Sequence, residues 1–166
     1  TVLYGFYSQY KFGGALKGNV IEPYMVVKAE STDVDNTPST LTPESETRYT
    51  FGLRAAGKNI GLFQDTFLSG LDYTVEPNWQ RGTSDYVEET TNVGTAGANT
   101  NHDISAFAIH AEAGYTFKNL PWTPRIGYAY SFASGDEQFD RGTQETYKQV
   151  SPTQHAHNGY MDITSW

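Results

Sequence analysis

The sequence predicts an all-β protein, specifically an antiparallel transmembrane β-barrel. Its hydropathy alternates with a period of two over most of the chain, which is typical of strands with one apolar face. Aromatic residues make up 14% of the chain and glycines number 16, whereas no apolar run reaches the length of a transmembrane helix. Seven segments carry the alternation, and the connections between them are short and long in strict turn.

The first three strands are separated by one short turn and one long loop. Residues 1–12 place apolar side chains at nearly all the even positions, and a turn rich in glycine follows at residues 13–19. The second strand, residues 21–30, has apolar side chains at odd positions and carries its three charged residues, Glu22, Lys28 and Glu30, at even positions. The polar residues 31–45 include two prolines and lack periodicity, so they predict a long loop before the third strand, residues 46–55.

The fourth and fifth strands repeat this arrangement. A short turn at residues 56–59 precedes the fourth strand, which is predicted to run from about residue 66 to residue 81. Residues 82–103 are polar and rich in Gly, Thr and Asn, and they predict the second long loop. The fifth strand, residues 107–117, then leads into a short turn at residues 118–123 that contains a proline.

The sixth strand, residues 125–132, is followed by a third long polar segment, residues 134–158, and by a seventh strand, residues 159–166. Because antiparallel neighbours reverse direction, all the short turns fall at one end of the sheet and all the long loops at the other. Amphipathic strands of about ten residues with such segregated loops are typical of an outer-membrane barrel with short periplasmic turns and long extracellular loops. A soluble sandwich usually has shorter strands and no such segregation.

The apolar face of the strands is predicted to contact lipid, and its aromatic residues cluster toward the strand ends. Two such clusters match the girdles that barrels place at the two membrane interfaces. Aromatic residues also favour strands in general, which accounts for their number but not for their positions. The clusters are Tyr10, Phe12, Phe117 and Trp122 near the short turns, and Tyr49, Phe51, Trp79, Tyr130 and Phe132 toward the long loops.

The polar face is predicted to line a wide, water-filled lumen, because a narrow barrel would have to pair nearly all of its charges. Arg125 has small neighbours on this face. Its guanidinium can therefore either project into the lumen to contact an anionic solute or pair along the wall with an acid such as Glu112. The candidate pore-lining residues are Lys28, Arg48, Arg54, Arg125, Glu22, Glu30, Asp72, Glu76 and Glu112, with Asp162 as a further acid.

The sequence offers little for catalysis, and we predict no cofactor and no metal. Cysteine is absent and the formal net charge is -8, which argue against a cysteine-ligated metal and against a nucleic-acid partner. No helix pattern follows Ser134, as a nucleophile elbow would require, so we expect no enzyme. The remaining polar clusters are interpreted as hydrated loop residues: His102, His155, His157, Glu88, Glu89, Asp136, Glu137 and Asp140.

Several motifs in the second half of the chain resemble the alginate export family of Gram-negative outer-membrane porins. The most specific are PRIGYAY at residues 124–130, which leads into ASGD at residues 133–136, and HAHNGYMD at residues 155–162. AEAGYTF at residues 111–117 and the segment 71–82, which begins with LDY and ends with QRG, add to the resemblance. The first seventy residues agree in periodicity and strand layout.

The resemblance implies that residues 1–166 form part of a single barrel domain, with more than seven strands, in the outer membrane of a Gram-negative bacterium. It also implies outer-membrane lipid and lipopolysaccharide as partners, and an anionic or carbohydrate solute. This solute would pass passively, as polysaccharide or as smaller anions. A channel for a polyanion is expected to have a lumen rich in arginine and lysine. The polar face departs from this expectation, since its candidate charged residues are six acids and four bases.

Two other interpretations remain open. A small eight-stranded barrel with an adhesion or structural role would suit the aromatic Trp166, although seven strands do not make the usual even number. A soluble carbohydrate-binding sandwich would use Trp79 and Trp122 as stacking platforms. An intact mass near 18.4 kDa for the native polypeptide would favour the small barrel, and a severalfold larger mass the wide channel.

Overall fold

The computed structural model describes residues 1–31, 45–87, 99–136 and 143–149. Its strands form one antiparallel sheet, as the alternation predicts, and three short 3-10 helices lie in the connections. None of the described helices has the length and hydropathy needed to cross a membrane. The strands are β1 (Val2–Tyr7), β2 (Tyr10–Lys11), β3 (Asn19–Ser31), β4 (Ser45–Lys58), β5 (Leu71–Val87), β6 (Asn99–Thr116) and β7 (Arg125–Ala133), and the 3-10 helices are Gly14–Leu16, Gly61–Phe63 and Phe67–Gly70.

Each strand pairs with its neighbour in sequence, in the order β1-β3-β4-β5-β6-β7, and β2 continues the edge formed by β1. Within the described ranges β1 pairs only with β3 and β7 only with β6, so the sheet is open at both edges. A sandwich needs a second sheet facing the first. The described part of the chain forms a single sheet, which is consistent with a piece of a barrel wall.

The first predicted strand is interrupted in the structure. Residues 1–12 were expected to form one strand, but Ser8 and Gln9 lie between β1 and β2 without regular pairing. The register places Ser8 opposite Pro23 of β3, and the Ser8 amide donates to the Pro23 carbonyl over 3.0 Å. Proline has no N–H to return the second bond of the pair, so the ladder breaks there.

The connection between β4 and β5 is longer than the short turn that the sequence predicts at residues 56–59. β4 continues to Lys58, and β5 starts at Leu71 instead of near Thr66. The Thr66 hydroxyl accepts a hydrogen bond of 3.2 Å from the Leu68 amide and so begins the 3-10 helix Phe67–Gly70. A side-chain cap of this kind competes with strand pairing for the local backbone.

The second long loop is shorter than predicted, because β5 extends to Val87 and β6 begins at Asn99. Residues 82–87 pair with residues 99–104 in the same register as the rest of the two strands. Both faces of this extension carry mostly polar side chains, so a hydropathy alternation cannot reveal it. The seventh predicted strand, residues 159–166, lies outside the described residues.

Successive connections fall alternately at the two ends of the sheet, but their lengths separate less cleanly than expected, because residues 59–70 between β4 and β5 are no fewer than residues 88–98 between β5 and β6. The outward rows place Phe51, Trp79 and Phe107 side by side on adjacent strands, and the Trp79 and Phe107 ring centroids are 5.7 Å apart. Tyr10 with Phe12 and Tyr115 with Phe117 form edge-to-face pairs near the short turns, at 5.0 and 4.9 Å. On β5 the apolar outward residues 71–79 span roughly 27 Å, close to the height of a barrel's apolar band.

The most deeply buried side chains lie on the opposite face of the sheet, and most of them are polar. Arg48, Ile104, Gln80, Thr50 and Ser84 are the largest side chains with almost no exposure. The apolar outward residues, in contrast, are exposed, such as Tyr128 at 75%. This distribution is the reverse of that in a soluble protein and suits a wall with lipid on one side and water on the other.

Candidate functional site

The candidate site is the polar face of the sheet, which we call the inner face. It carries the even-numbered residues of β3 to β6 and the odd-numbered residues of β1 and β7, as the register requires. All nine candidate pore-lining residues that the structure describes lie on this face. That the face lines a passage stays a prediction. Asp162, Glu88, Glu89, Glu137, Asp140, His155 and His157 lie outside the described residues.

Each of the four basic candidates forms an ion pair with an acid of the same face. Lys28 pairs with Glu30 at 2.8 Å, and Arg54 pairs with Glu22. Their exposed side-chain fractions differ widely and decide which of them a solute could reach. Arg125 is the most accessible at 47%, followed by Arg54 at 37% and Lys28 at 28%, whereas Arg48 is at 2%.

Arg125 lies along the wall, one of the two orientations that the sequence allows, but its partner differs from the example expected. Its Nε and Nη2 donate to the two carboxylate oxygens of Asp72 over 3.0 and 2.6 Å. Asp72 is two strands away, and Gly114 of β6 lies between them, directly beneath the guanidinium. Any side chain at Gly114 would collide with that group. Glu112, the expected partner, instead contacts His110 at 3.0 Å.

Tyr24 of β3, like Arg125, crosses a glycine of the neighbouring strand to reach the strand beyond it. Its side chain passes over Gly52 of β4, where a Cβ would overlap the phenol ring. The hydroxyl then lies 2.5 Å from Glu76 Oε1 and 2.5 Å from Asn78 Oδ1, both on β5. One aromatic side chain therefore connects three strands across the inner face.

Glu22 is the centre of a second hydrogen-bonded cluster near the short turns. The Tyr7 hydroxyl and the Gln9 amide donate to its Oε1 over 2.6 and 2.5 Å, and Arg54 bonds its other oxygen. Glu22 is 7% exposed, so its charge is almost fully covered by these three donors. A buried carboxylate is tolerated when donors satisfy its lone pairs, as they do here.

The feature that the sequence does not reveal is the path of residues 143–149, which we call the returning segment. After β7 the chain comes back and lies against the inner face instead of extending away from the strands. Gln144 forms an isolated parallel bridge with Ile104, in which its amide donates to Asp103 O over 2.7 Å and its carbonyl accepts from Ser105 N over 2.9 Å. This part of the third long loop therefore lies beside the wall.

Ser134, within the ASGD motif, contacts both β6 and the returning segment. Its hydroxyl accepts from the Phe107 amide over 2.9 Å and donates to the Glu145 carbonyl over 2.6 Å. The Ser134 carbonyl also accepts from the Tyr147 amide over 3.0 Å. The serine thus has a structural role, holding the middle of β6 at Phe107 to the returning segment.

Arg48 holds the returning segment from the other side. Its guanidinium donates to Glu46 over 2.7 Å, to Gln80 over 2.7 Å and to Gln144 over 2.8 Å. Lys148 closes the network, since its ammonium reaches Glu46 at 2.8 Å. Its backbone amide and carbonyl bond the Gln80 side chain over 3.0 and 2.6 Å.

Sequence reasoning placed Arg48 on the inner face but not in this network. Glu46 and Gln80 have the same parity as Arg48 and were placed on the polar face, yet nothing in the alternation sets them apart. Gln144 and Lys148 lie in a polar segment without periodicity. The pairing of Arg48 with Gln144 joins residues 96 apart in sequence, and no local pattern predicts such a contact.

A cavity of about 670 Å³ lies between the inner face and the returning segment. Polar groups from five strands and from the returning segment reach it, among them Tyr24, Glu76, His110, Ser131 and Tyr147. Burial and the negative charge of Glu76 raise the pKa of the Tyr147 phenol. Within the described ranges, no group of three or more histidines and acids is placed to hold a metal ion.

Comparison with known protein families matches residues 2–165 to the family described as alginate export. The match therefore includes the first seventy residues, where the sequence pattern agrees with the family only in periodicity and layout. No curated protein and no solved structure gives a significant match. The all-β antiparallel sheet, apolar on one side and polar on the other, fits a piece of a porin wall. The chain belongs to the alginate export family, a family of outer-membrane transport porins.

Proposed function

We propose that the inner face lines a passive channel through the outer membrane of a Gram-negative bacterium, which admits or exports polysaccharide or smaller anionic solutes. One observation carries this proposal. The charged and hydrogen-bonding side chains of six strands gather on the face opposite the exposed aromatic one. Such an arrangement suits a barrel wall whose polar face meets water and whose apolar face meets lipid. Outer-membrane lipid and lipopolysaccharide are thus proposed as the surroundings of the outer face.

The ion pairs of the inner face suit a water-filled passage. Positive and negative ends alternate along the wall at Arg54 with Glu22 and at Arg125 with Asp72, and so they create a transverse field for a passing solute. Arg125 binds Asp72 through Nε and Nη2 and is about half exposed, which leaves Nη1 available to a solute carboxylate.

The returning segment narrows this passage. It occupies the space in front of the inner face, in the half of the sheet nearer to the long loops, and it is held there by side chains of β4 and β5. Because the holding side chains are buried and bonded at several atoms, the segment is a fixed part of the lumen. A solute is therefore selected where it passes between this segment and the remaining wall.

Replacing Arg125 with glutamate is expected to lower the anion-over-cation permeability ratio of the complete protein by roughly twofold, since one lumen charge is reversed within a Debye length of the solute. The reversal potential in planar bilayers under a salt gradient measures this ratio. Arg54→Glu should act in the same direction. Arg81→Glu is the matched control, because Arg81 lies on the outer face beside Ser105.

Unchanged reversal potentials for both inner-face variants, at unchanged open conductance, would mean that these arginines have a structural role and do not set the ion selectivity. Loss of stability is not expected to confuse the result. The half-exposed pair of Arg125 with Asp72 contributes about 0–1 kcal/mol, so the Arg125→Glu barrel should still assemble. Arg54→Glu removes a donor from Glu22, which is 7% exposed, so its reversal potential is compared only where its open conductance equals that of the wild type.

The proposed orientation is tested with single cysteines, since the chain has none of its own. Cysteine at Gly135, near the long loops, should react with a membrane-impermeant maleimide on intact cells. Cysteine at Asn119, in the short connection between β6 and β7, should react only after the outer membrane is opened. Both positions are exposed, so accessibility depends on the side of the membrane. Labelling of Asn119→Cys on intact cells would contradict the orientation.

A further inference from the structure

A cavity lies beneath the returning segment on the described inner face. Its volume of about 670 Å³ lies within the range of about 300–1,000 Å³ that is usual for ligand sites. It is bounded on one side by β3 to β7 and on the other by Tyr147 and Gln149. A solute that moves along the inner face past the returning segment would meet it.

The lining groups combine donors and acceptors with an aromatic ring. Asn78 and Ser131 offer neutral polar groups, and Glu76 keeps acceptor sites beyond the one that Tyr24 uses. Tyr147 contributes a partly buried aromatic ring on the side of the returning segment, and Ala108 gives part of the floor a small apolar surface. Sugar rings present hydroxyls around an edge and C–H groups on a face, so they suit such a mixture.

The charge of the cavity disfavours anions. Among the described residues that line it there is no lysine or arginine, and the imidazole of His110 contacts Ser131 and Glu112. The four basic candidates of the inner face are held elsewhere, by Glu22, Glu30, Glu46 and Asp72. Within the described residues no lysine or arginine forms an ion pair with Glu76, which accepts a hydrogen bond from the Tyr24 phenol and lies opposite His110 in the register. A carboxylate, sulfate or phosphate entering the cavity would therefore face Glu76 without a lysine or arginine among the described lining residues to offset its charge.

We propose that this cavity binds one uncharged, polyhydroxylated sugar unit of a solute during its passage, with Glu76, Asn78 and Ser131 bonding its hydroxyls and Tyr147 packing against its ring. The proposal rests on the proposed channel function and narrows it. Uncharged sugars interact with the site, whereas uronates pass the narrow region without binding there. Anions that cross the channel are then influenced by Arg125 and Arg54 at other positions of the wall.

The test is the blocking of single-channel current through the complete protein in planar bilayers by two probes of equal length. Cellotriose, which is uncharged, should interrupt the current in a concentration-dependent way, and tri-mannuronate should need at least about tenfold more to do so. Glu76→Gln keeps the size and the acceptor toward Tyr24 but removes the charge. It should strengthen block by tri-mannuronate roughly fivefold and change block by cellotriose less than threefold.

Tyr147 supplies the second arm of the test. Tyr147→Ala should weaken block by cellotriose about tenfold, while Tyr147→Phe should keep it, because the ring and not the hydroxyl packs on the sugar. The residue lies outside the strands, so barrel assembly is retained in both variants. Tyr7→Ala is the control, since Tyr7 is a tyrosine of the inner face that does not line the cavity.

The possible failures are distinguishable. A conducting channel that cellotriose does not block, or that tri-mannuronate blocks equally well, overturns the sugar site and leaves the channel standing. Block by spermidine with no response to cellotriose would show a cation site and would also overturn it. Absence of any conductance from correctly inserted protein would overturn the channel function and the sugar site together.

Discussion

Replacing Arg48 with leucine is expected to release the returning segment from the inner face and to raise the open-channel conductance. Arg48 is 2% exposed and bonds Glu46, Gln80 and Gln144 at once. Leucine fills part of the space but leaves the oxygens of Gln80 and Gln144 without this donor. Removing one partner of a buried pair costs about 3–5 kcal/mol, and the lower end applies here because Lys148 still contacts Glu46.

Single-channel conductance of the complete protein measures the effect, together with the reaction rate of a cysteine placed at Thr146. The Thr146 backbone carbonyl faces the Arg48 guanidinium at 3.4 Å, so its surroundings change when the contact is lost. Arg54→Leu is the matched control. Arg54 is also an inner-face arginine of β4 paired with an acid, but its partner is Glu22 and not the returning segment. Equal conductance and equal cysteine reactivity in Arg48→Leu and the wild type would show that the segment does not narrow the passage.

Replacing Gly82 with alanine is expected to prevent stable assembly of the sheet. Gly82 has φ of +153°, in a region that residues with a side chain rarely adopt, and its Cβ position would overlap the backbone carbonyl oxygen of Thr47 on β4. Backbone cannot move aside as a flexible side-chain end can. The strain and the overlap together should cost roughly 3 kcal/mol or more.

The folded fraction after refolding into detergent, followed by urea titration, measures this cost. Gly13→Ala is the control, because a Cβ at Gly13 meets nothing within 4 Å and its φ is -108°. A Gly82→Ala protein that refolds to the wild-type extent with an unchanged urea midpoint would contradict the expected strain. The prediction concerns the extension of β5 beyond Arg81, which the polar sequence does not reveal.

Most of the strand arrangement could be predicted from hydropathy alone, because one side of each strand meets a different solvent from the other. That difference determines whether the odd-numbered or the even-numbered residues of a strand lie on the polar face. For this reason Lys28, Arg54 and Arg125 were correctly placed on that face. The hydropathy alternation disappears where both sides of a strand are polar. The pairing of residues 82–87 of β5 with residues 99–104 of β6 was therefore not predicted. The break in the first strand depends on Pro23, a residue of the neighbouring strand.

The contacts within the site were less predictable, because they depend on register between strands. The orientation of Arg125 could not be chosen from its own strand. It depends on Gly114 and Asp72, which come opposite one another only once β5 and β6 are paired. The returning segment is fixed by side-chain amides and backbone groups, and its position depends on partners about a hundred residues away. Such hydrogen bonds produce no periodic pattern of residues in the sequence from which they could be predicted.

The glycines beneath Tyr24 and Arg125 also guard against a particular assembly error. A strand that slips by two residues keeps its apolar side toward lipid, so the membrane itself cannot distinguish the slipped pairing from the correct one. Such a slip would replace Gly52 beneath Tyr24 by Thr50 or Arg54, and Gly114 beneath Arg125 by Glu112 or Thr116. Either replacement blocks the bridging side chain, so only the correct alignment lets both three-strand connections close. The contacts of the inner face, and not the contact with lipid, therefore select the correct register between the strands.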